Sequence, residues 1–212
     1  LQSLAEFFEL PIRQNVEVVK ITNMDGVFNV VTNDWTISTK NVIWAAGEFL
    51  YPKLEGFSGS ELCQHTATLA NYADLDGDDF MVIGGYESGS DAAYHLSKRG
   101  KKVTMFDKGD PWGLDASDPS TSLSTFTYER IREASFEENV TLFPKNAISS
   151  VELLDGIYEL KSEDGRTFKS ETQPLLAGGF DGSHTLVSHL FEKREDGFPL
   201  LNERDESTIA PG

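Results

Sequence analysis

Glycines cluster in the middle of the 212-residue chain, directly after the apolar run 80–83. A glycine turn between a strand and a helix is typical of dinucleotide sites. The first glycine permits a tight turn, the second lets the backbone approach the pyrophosphate, and the third allows close helix–strand packing. Gly84 matches the first position and Gly89 the third, whereas Tyr86 stands at the middle position with Gly85 beside it. The spacing predicts a dinucleotide site, provided that the Tyr86 side chain points away from the phosphates, and the alternative is a glycine turn with a structural role alone.

Residues on both sides of this turn could hold the rest of a dinucleotide. A helix over 88–99 would place the backbone N–H groups of Ser88 and Gly89 at its positive end, where they can bind phosphate. Asp107 follows Gly84 by 107 − 84 = 23 residues, close to the spacing of a ribose-binding acid. The cofactor-binding residues predicted here are Gly84, Gly85, Tyr86, Glu87, Ser88, Gly89, Asp107 and Lys108.

The same stretch leaves the choice between NAD and NADP open. An acid at position 107 favours the free 2′-hydroxyl of NAD. Basic residues nearby in sequence favour a 2′-phosphate, and they are Arg99, Lys101, Lys102 and Lys108.

The elements that must position this turn follow from hydrophobic periodicity and turn residues. Alternating apolar residues and Asp-Gly turns predict two β-meanders, and each meander leads into an apolar strand that ends at a small-residue turn. The expected elements are a helix over 1–10, a meander over 16–39, strands 41–46 and 80–84, a helix over 88–99, strand 102–106, a helix over 127–138, strand 140–143, a meander over 148–169, strand 172–177 and a helix over 184–191. This order predicts an α/β, Rossmann-like fold with β-meanders.

Composition narrows the classes of partner. Lys and Arg number 18 against 35 Asp and Glu, which gives a net charge of −17 and argues against nucleic acid or an anionic membrane as partner. The single cysteine, Cys63, excludes an intrachain disulfide and predicts a reducing, cytoplasmic compartment. We find no apolar run of membrane-spanning length in the sequence. A small-molecule substrate is expected, and a homodimer is compatible with the sequence.

The order of motifs resembles the two-dinucleotide-domain flavoproteins, specifically the flavin-containing monooxygenase-like and pyridine nucleotide-disulfide oxidoreductase-type enzymes. The resemblance spans nearly the whole chain and adds to the glycine turn several short elements. They are the apolar run ending at Gly47, the loop from Pro52 to Gly59, the pair His65-Thr66, the turn Ala177-Gly178-Gly179-Phe180 and the final Thr208-Ile209-Ala210-Pro211-Gly212.

This resemblance implies a three-layer FAD/NAD(P)-binding fold in which NAD(P)H passes hydride to FAD. Residues 71–173 would form the NAD(P)H domain, and residues 1–70 and 174–212 would be parts of the flavin domain. It also implies that Gly47, His65 and Gly178 lie near the cofactors, and it assigns no catalytic side chain. The alternative for His65 is a loop histidine away from the cofactor groove. Only 46 residues precede Gly47 and none carries an FAD fingerprint, so the chain is expected to be a fragment. The family threonine is absent from both turns, where Ala46 and Gly178 stand.

Two other function classes remain open. A non-catalytic dinucleotide-binding module is favoured by Tyr86 and by the missing FAD fingerprint, whereas a flavin disulfide reductase is disfavoured by the lone Cys63. A Cys63–His65 catalytic pair is disfavoured because residues two apart rarely share a face.

The remaining chemistry-bearing residues are expected to be structural. His95 is expected to be an exposed helical residue, and Trp112 either stacks on an adenine or caps the core. No metal site is expected at His184 and His189, or in the acidic stretch 74–79.

Overall fold

The computed structural model describes residues 2–47, 51–113, 122–195 and 197–212. The chain divides into two compact units. Unit 1 comprises Leu1–Gly47 and Gly182–Gly212, and unit 2 comprises Glu48–Asp181. Both ends of the predicted NAD(P)H domain, at 70/71 and 173/174, fall inside unit 2. The assignment of functions to the two parts stays a prediction.

Unit 1 is built on an antiparallel meander. It contains helix α1 (Gln2–Phe7), strands β1 (Val18–Met24), β2 (Val27–Thr32) and β3 (Thr36–Thr39), and a 3₁₀ segment, Ser183–Leu190. Asp25 and Gly26 join β1 to β2 with φ angles of 53° and 78°, the double positive φ that a two-residue hairpin turn requires. The core of this unit is formed by Ile21, Phe28 and Val187.

Unit 2 combines a parallel sheet, a second meander and helices. Its elements are β4 (Gln64–His65), β5 (Asp79–Ile83), α2 (Glu87–Ser97), β6 (Lys102–Phe106), α3 (Thr125–Ile131), α4 (Ala134–Asn139), β7 (Val140–Phe143), β8 (Ile148–Leu154), β9 (Ile157–Ser162), β10 (Thr167–Ser170) and β11 (Leu175–Leu176). The parallel sheet has the order β4-β11-β5-β6-β7, and β8, β9 and β10 form the antiparallel meander.

Both faces of the parallel sheet are covered, which explains why β5 is apolar at nearly every position. Phe80 and Val82 pack with Leu96 of α2 on one face, whereas Met81 and Ile83 pack with the meander strands β8 and β9 on the other. The layers are therefore helices, parallel sheet and antiparallel meander. The predicted α/β fold class is confirmed.

Several elements differ from the sequence-based expectation. The helix expected over 1–10 is limited to α1, and the one expected over 184–191 is the 3₁₀ segment Ser183–Leu190. Residues 41–46 form no strand, and Ile43 is 92% exposed. The helix expected over 127–138 is broken into α3 and α4, because Glu133 takes an extended backbone (φ −70°, ψ 144°) between them. The strand expected over 172–177 is reduced to β11.

The described helices are all too short or too polar to cross a membrane.

Candidate functional site

The glycine turn lies at the carboxyl end of β5, and two of its glycines are required by close contacts. Gly84 has φ +100°, and its N–H donates to the carbonyl of Phe106 at 2.8 Å. A Cβ at position 84 would lie 2.4 Å from the carbonyl oxygen of Ala177. A Cβ at Gly89 would lie 1.8 Å from the carbonyl oxygen of Gly84, so the first turn of α2 rests directly on the glycine turn. These are the tight-turn and close-packing roles that the fingerprint requires.

Gly85 is covered by protein rather than open to a ligand. A Cβ at Gly85 would lie 2.2 Å from Cζ2 of Trp112. The Trp112 ring packs against the core cluster that β5 and α2 form on the helix face of the sheet. The hydroxyl of Ser90 donates to the Gly85 carbonyl at 2.9 Å and accepts from Trp112 Nε1 at 3.4 Å. Of the two roles left open for Trp112, the structure supports the core cap.

Tyr86 occupies the place of the middle glycine and precedes α2. Its backbone is extended (φ −75°, ψ −159°), as expected for the residue before a helix. Its hydroxyl donates to the carbonyl oxygen of Ser122 at 2.7 Å, and the side chain is 41% exposed. The ring is therefore anchored to the segment that leads into α3.

The N-terminus of the eleven-residue α2 offers backbone donors. The first intrahelical bond runs from the N–H of Ser90 to the carbonyl of Tyr86 at 2.9 Å, so the N–H groups of Glu87, Ser88 and Gly89 have no acceptor within the helix. The Tyr86 side chain provides no capping bond, and Ser88 is exposed. Such a terminus can bind an anion through its N–H groups and its dipole.

Glu87 lies in the first turn of α2, but its carboxylate is bound to the start of α3. It accepts the Ser124 N–H at 2.5 Å, the Ser124 hydroxyl at 3.3 Å and the Thr127 hydroxyl at 2.5 Å. Ser124 is also the N-cap of α3, since its hydroxyl accepts the Thr127 N–H at 3.2 Å. Glu87 is among the cofactor-binding residues predicted from the sequence. The Ser-x-x-Thr spacing at 124–127 was the available sign of a capped helix, but nothing local pointed to Glu87 as its partner.

Asp107 lies at the carboxyl end of β6, and its carboxylate is bonded to the glycine turn. Oδ2 accepts the Gly85 N–H at 2.6 Å and Oδ1 accepts the Gly109 N–H at 2.7 Å. A carboxylate has about four acceptor sites, so this one keeps capacity for a ribose hydroxyl. Lys108 is exposed and makes no side-chain hydrogen bond or ion pair within the described parts of the chain.

Three of the four cations expected near a 2′-phosphate are not brought to the site. Arg99, Lys101 and Lys102 stand at the amino end of β6, roughly 16 Å along the strand from Asp107 at 3.3 Å per residue. Lys101 Nζ pairs with Asp78 at 2.9 Å, and Lys102 Nζ bonds to the Glu138 carbonyl and to Asn139. Arg99 follows α2 and donates to the carbonyl of His95 in that helix at 2.7 Å. Closeness in sequence was misleading here because the length of strand β6 separates these cations from Asp107.

His65 is buried and connects β4 to the turn that follows β11. Its Nδ1 accepts the Ala67 N–H at 3.1 Å, so Nε2 must carry the proton and donates it to the Gly179 carbonyl at 3.0 Å. The ring also makes an edge contact with Phe180 at 5.4 Å. Burial lowers the pKa of His65 below 6.5, although the bond to Gly179 acts in the opposite direction.

The two glycines implied by the resemblance occupy different units. A Cβ at Gly178 would lie 3.0 Å from the carbonyl oxygen of Lys53, so that turn is tightly packed in unit 2. Gly47 belongs to unit 1, has φ +70° and has open space around it. His65 and Gly178 are thus held around one turn of unit 2, whereas Gly47 belongs to unit 1.

The remaining candidates are structural. Burial, and to a smaller extent Glu61, raises the pKa of Cys63 to about 12, which opposes a catalytic thiolate. His95 is half-exposed and stacks on Tyr72 at 5.6 Å. His189 bonds to the carbonyl of Ile21. Over the described ranges, no group of three or more His, Cys, Asp or Glu residues is placed to hold a metal ion.

A large open cleft lies at the other end of the sheet from the glycine turn. Its volume is about 1090 Å³, and it is lined by residues at the amino ends of β5 and β6, among them Asp79 and Lys102. Ligands of open α/β sheets bind outside the carboxyl ends of the strands. The glycine turn therefore remains the candidate site in spite of the size of this cleft.

Comparison with known proteins gives the family of the chain. A family model described as pyridine nucleotide-disulphide oxidoreductase matches residues 1–212. A CzcO-like oxidoreductase from Geobacillus kaustophilus (strain HTA426) is 33% identical over 102 residues, which are 46% of this chain and 29% of that relative. The matched stretch is thus less than a third of the relative's length.

Solved structures share the fold. Bacillithiol disulfide reductase Bdr (YpdA) from Staphylococcus aureus has a TM-score of 0.73 at 17% identity. The match covers 100% of this chain and 67% of the reductase chain. A flavin-containing monooxygenase from Stenotrophomonas maltophilia has a TM-score of 0.70 at 15% identity. The match covers 99% of this chain and 64% of the monooxygenase chain. At these identities the likeness shows the fold alone, and it agrees with the resemblance seen in the sequence. The chain belongs to the pyridine nucleotide-disulphide oxidoreductase family.

Proposed function

We propose that unit 2 binds NAD(P)H at the glycine turn, as the nucleotide-binding part of a flavin-dependent, monooxygenase-like oxidoreductase. The observation that carries the proposal is the first turn of α2, which rests on Gly84 and presents the N–H groups of residues 87–89 without intrahelical acceptors. These groups would hold the pyrophosphate, and Asp107 would accept a ribose hydroxyl. When bound, the nicotinamide supplies hydride, for which FAD is the proposed acceptor in the whole protein.

The described residues fit one dinucleotide and supply no second glycine turn for FAD. Gly84 and Gly89 leave no room for a Cβ, and between them they place the helix terminus beside the turn. No strand–glycine–helix unit of this kind precedes residue 79 among the described residues. The role of these residues is therefore to bind and orient the nucleotide. The lone, buried Cys63 supports a reducing compartment such as the cytoplasm.

Of the two nucleotides, we propose NADH as the better ligand. The carboxylate of Asp107 is fixed beside the turn by two backbone N–H groups and would repel a 2′-phosphate. Of the four candidate cations, three are engaged at the far end of β6, which leaves Lys108 alone beside Asp107.

Titration of the whole chain with NADH and with NADPH tests the proposal. Tryptophan fluorescence is a suitable signal because Trp112 packs on Gly85. We expect binding of both nucleotides, with tighter binding of NADH. Gly89→Val should weaken binding by about tenfold or more, or ~1.4 kcal/mol, because its side chain displaces the helix terminus. Gly56→Val is the matched control, since Gly56 has open space and no positive φ. Equal affinity in the wild type and Gly89→Val would refute the assigned site.

A non-catalytic module is the second candidate, favoured by Tyr86 at the middle position of the fingerprint. If the module is correct, the chain binds nucleotide, but the whole protein does not reduce FAD when FAD and NADH are added. Bleaching of the flavin absorbance by the whole protein would exclude the module. If the whole protein binds nucleotide but takes up no FAD, the oxidoreductase is excluded.

A further inference from the structure

We propose that Ser124 and Thr127 hold the carboxylate of Glu87 away from the nucleotide, and that this clamp sets the affinity of the glycine turn for a pyrophosphate. The clamp consists of Glu87 and its two partners Ser124 and Thr127. The proposal rests on the proposed function, because it concerns the same N-terminus of α2. Ser124 and Thr127 are positioning residues in it, because they act on the nucleotide only through Glu87.

The need for a clamp follows from where Glu87 stands in α2. It is the first residue of the helix, in the turn whose N–H groups are the candidate phosphate ligands. A free carboxylate in a first helical turn is attracted by the same N–H groups and by the positive end of the dipole. It would compete with a pyrophosphate for these donors and repel it, in a chain that already carries a net charge of −17.

The contacts show that the carboxylate is committed elsewhere. Its two oxygens receive the Ser124 N–H at 2.5 Å, the Thr127 hydroxyl at 2.5 Å and the Ser124 hydroxyl at 3.3 Å. One of these donors is the backbone N–H of the residue that caps α3. Glu87 therefore completes the start of α3, and α3 in return keeps the charge of Glu87 off the phosphate donors of α2.

Other contacts hold α3 and α4 on α2, so the clamp can be removed without separating the helices. Arg130 pairs with Asp91 one turn further along α2. Glu133 accepts the Tyr94 hydroxyl at 3.0 Å and pairs with Lys98 at 2.8 Å. A variant at Glu87 leaves these contacts in place, which makes a test by substitution practical.

The test compares nucleotide affinity in four forms of the whole chain: wild type, Ser124→Ala/Thr127→Val, Glu87→Gln, and all three substitutions together. NADH and inorganic pyrophosphate are the probes, and the melting temperature of each form is measured alongside. The double variant releases the carboxylate, so we expect about twofold to fivefold weaker binding, the range for a charge at an exposed helix terminus. Glu87→Gln should bind at least as tightly as the wild type. The triple variant should regain that affinity although it lacks all three clamp side chains.

The rescue by Glu87→Gln separates an electrostatic role from a purely structural one. A structural clamp predicts that all three variants bind more weakly and that the triple variant binds as weakly as the double variant, and either result would overturn the proposal. Lys98→Gln is the control, because it breaks the contact of Lys98 with Glu133 at the other end of α2, away from the nucleotide, and we expect it to leave affinity unchanged. Absence of binding in the wild type would refute the proposed function itself, which distinguishes the two failures.

Discussion

Two stretches of the chain are built alike in sequence and differ in structure. Residues 42–47 read Val-Ile-Trp-Ala-Ala-Gly and residues 174–180 read Pro-Leu-Leu-Ala-Gly-Gly-Phe, and each follows a β-meander. The second stretch contains β11, where Leu175 and Leu176 are 1% and 4% exposed. In the first stretch no strand is formed, and Ile43 is 92% exposed.

The difference lies in the neighbours. β11 is paired on both edges, since Leu175 lies in register with Gln64 of β4 and with Val82 of β5. Residues 41–47 pair with no strand among the described residues, and their one backbone–backbone hydrogen bond to another described segment runs from the Val42 N–H to the Gly212 carbonyl at 3.5 Å. An apolar run becomes a buried strand where other strands accept its N–H and C=O groups. Composition alone cannot decide this.

The largest expected effect comes from truncating one apolar residue in each stretch. Leu175→Ala removes a fully buried side chain between two layers and should lower the free energy of unfolding by about 2–5 kcal/mol. Ile43→Ala, its counterpart, removes an exposed side chain and should stay within about 0.5 kcal/mol. Urea denaturation measures both changes. Equal losses in the two variants would show that residues 42–47 are packed as tightly as β11.

A second pair of variants compares glycines that both have positive φ. Gly84→Ala would place its Cβ 2.4 Å from the carbonyl of Ala177, just beyond β11, and should cost roughly 1–3 kcal/mol from overpacking in addition to the cost of its positive φ. Gly47→Ala has open space and should cost only the left-handed backbone, about 1 kcal/mol. Thermal unfolding gives the comparison. A smaller loss for Gly84→Ala than for Gly47→Ala would contradict the close approach of the two turns in unit 2.

Much of this fold is readable from the sequence because it depends on local periodicity. The β5–α2–β6 unit, the two meanders and the glycines at 84 and 89 follow from apolar runs, Asp-Gly turns and fixed spacing. The break between α3 and α4 was not readable, because Glu133 leaves the helical backbone at a residue with no strong breaking tendency. The missing strand at 41–46 depends on neighbours rather than on its own residues.

The parts of the candidate site that could be predicted are those whose positions follow from residue spacing along the chain. Asp107 was placed correctly at the end of β6, but its bond to Gly85 needed the structure. The contact of His65 with Gly179 joins residues 114 apart, and Glu87 reaches Ser124 across 37. No local pattern encodes such pairings, because they depend on how separate elements pack.

The turn after β11 should also give unit 2 a dependence on pH that the stretch 42–47 lacks. The pKa of His65 is lowered below 6.5 by burial, so the unfolded chain binds the proton more readily than the folded chain. The contribution of His65 to the free energy of unfolding is then present above about pH 6.5, and it is lost progressively as the pH falls below that value. His65→Gln keeps an N–H donor for the Gly179 carbonyl and removes the titration. We expect its free energy of unfolding to change less than that of the wild type between about pH 7.5 and about pH 5.5.

The control for this prediction is Ile43→Ala in unit 1, which changes no titratable group and should keep the pH dependence of the wild type. A wild-type stability that is constant over the same interval would show that the His65 ring gains no proton on unfolding.

The smallest expected change is a local opening beside β11, and Cys63 can report it. Cys63 lies in the same core cluster as Leu176, and burial raises its pKa to about 12. Near pH 8 only about one thiol in 10⁴ is then ionised, so a thiol reagent should label the folded chain far more slowly than the urea-unfolded chain. Leu176→Ala should accelerate labelling because it loosens the packing around Cys63, whereas Ile43→Ala should leave the rate unchanged. The signal is unambiguous because the chain has a single cysteine. Equal acceleration by both variants would mean that the exposed stretch and the buried strand share one opening, and the contrast between them would then be lost.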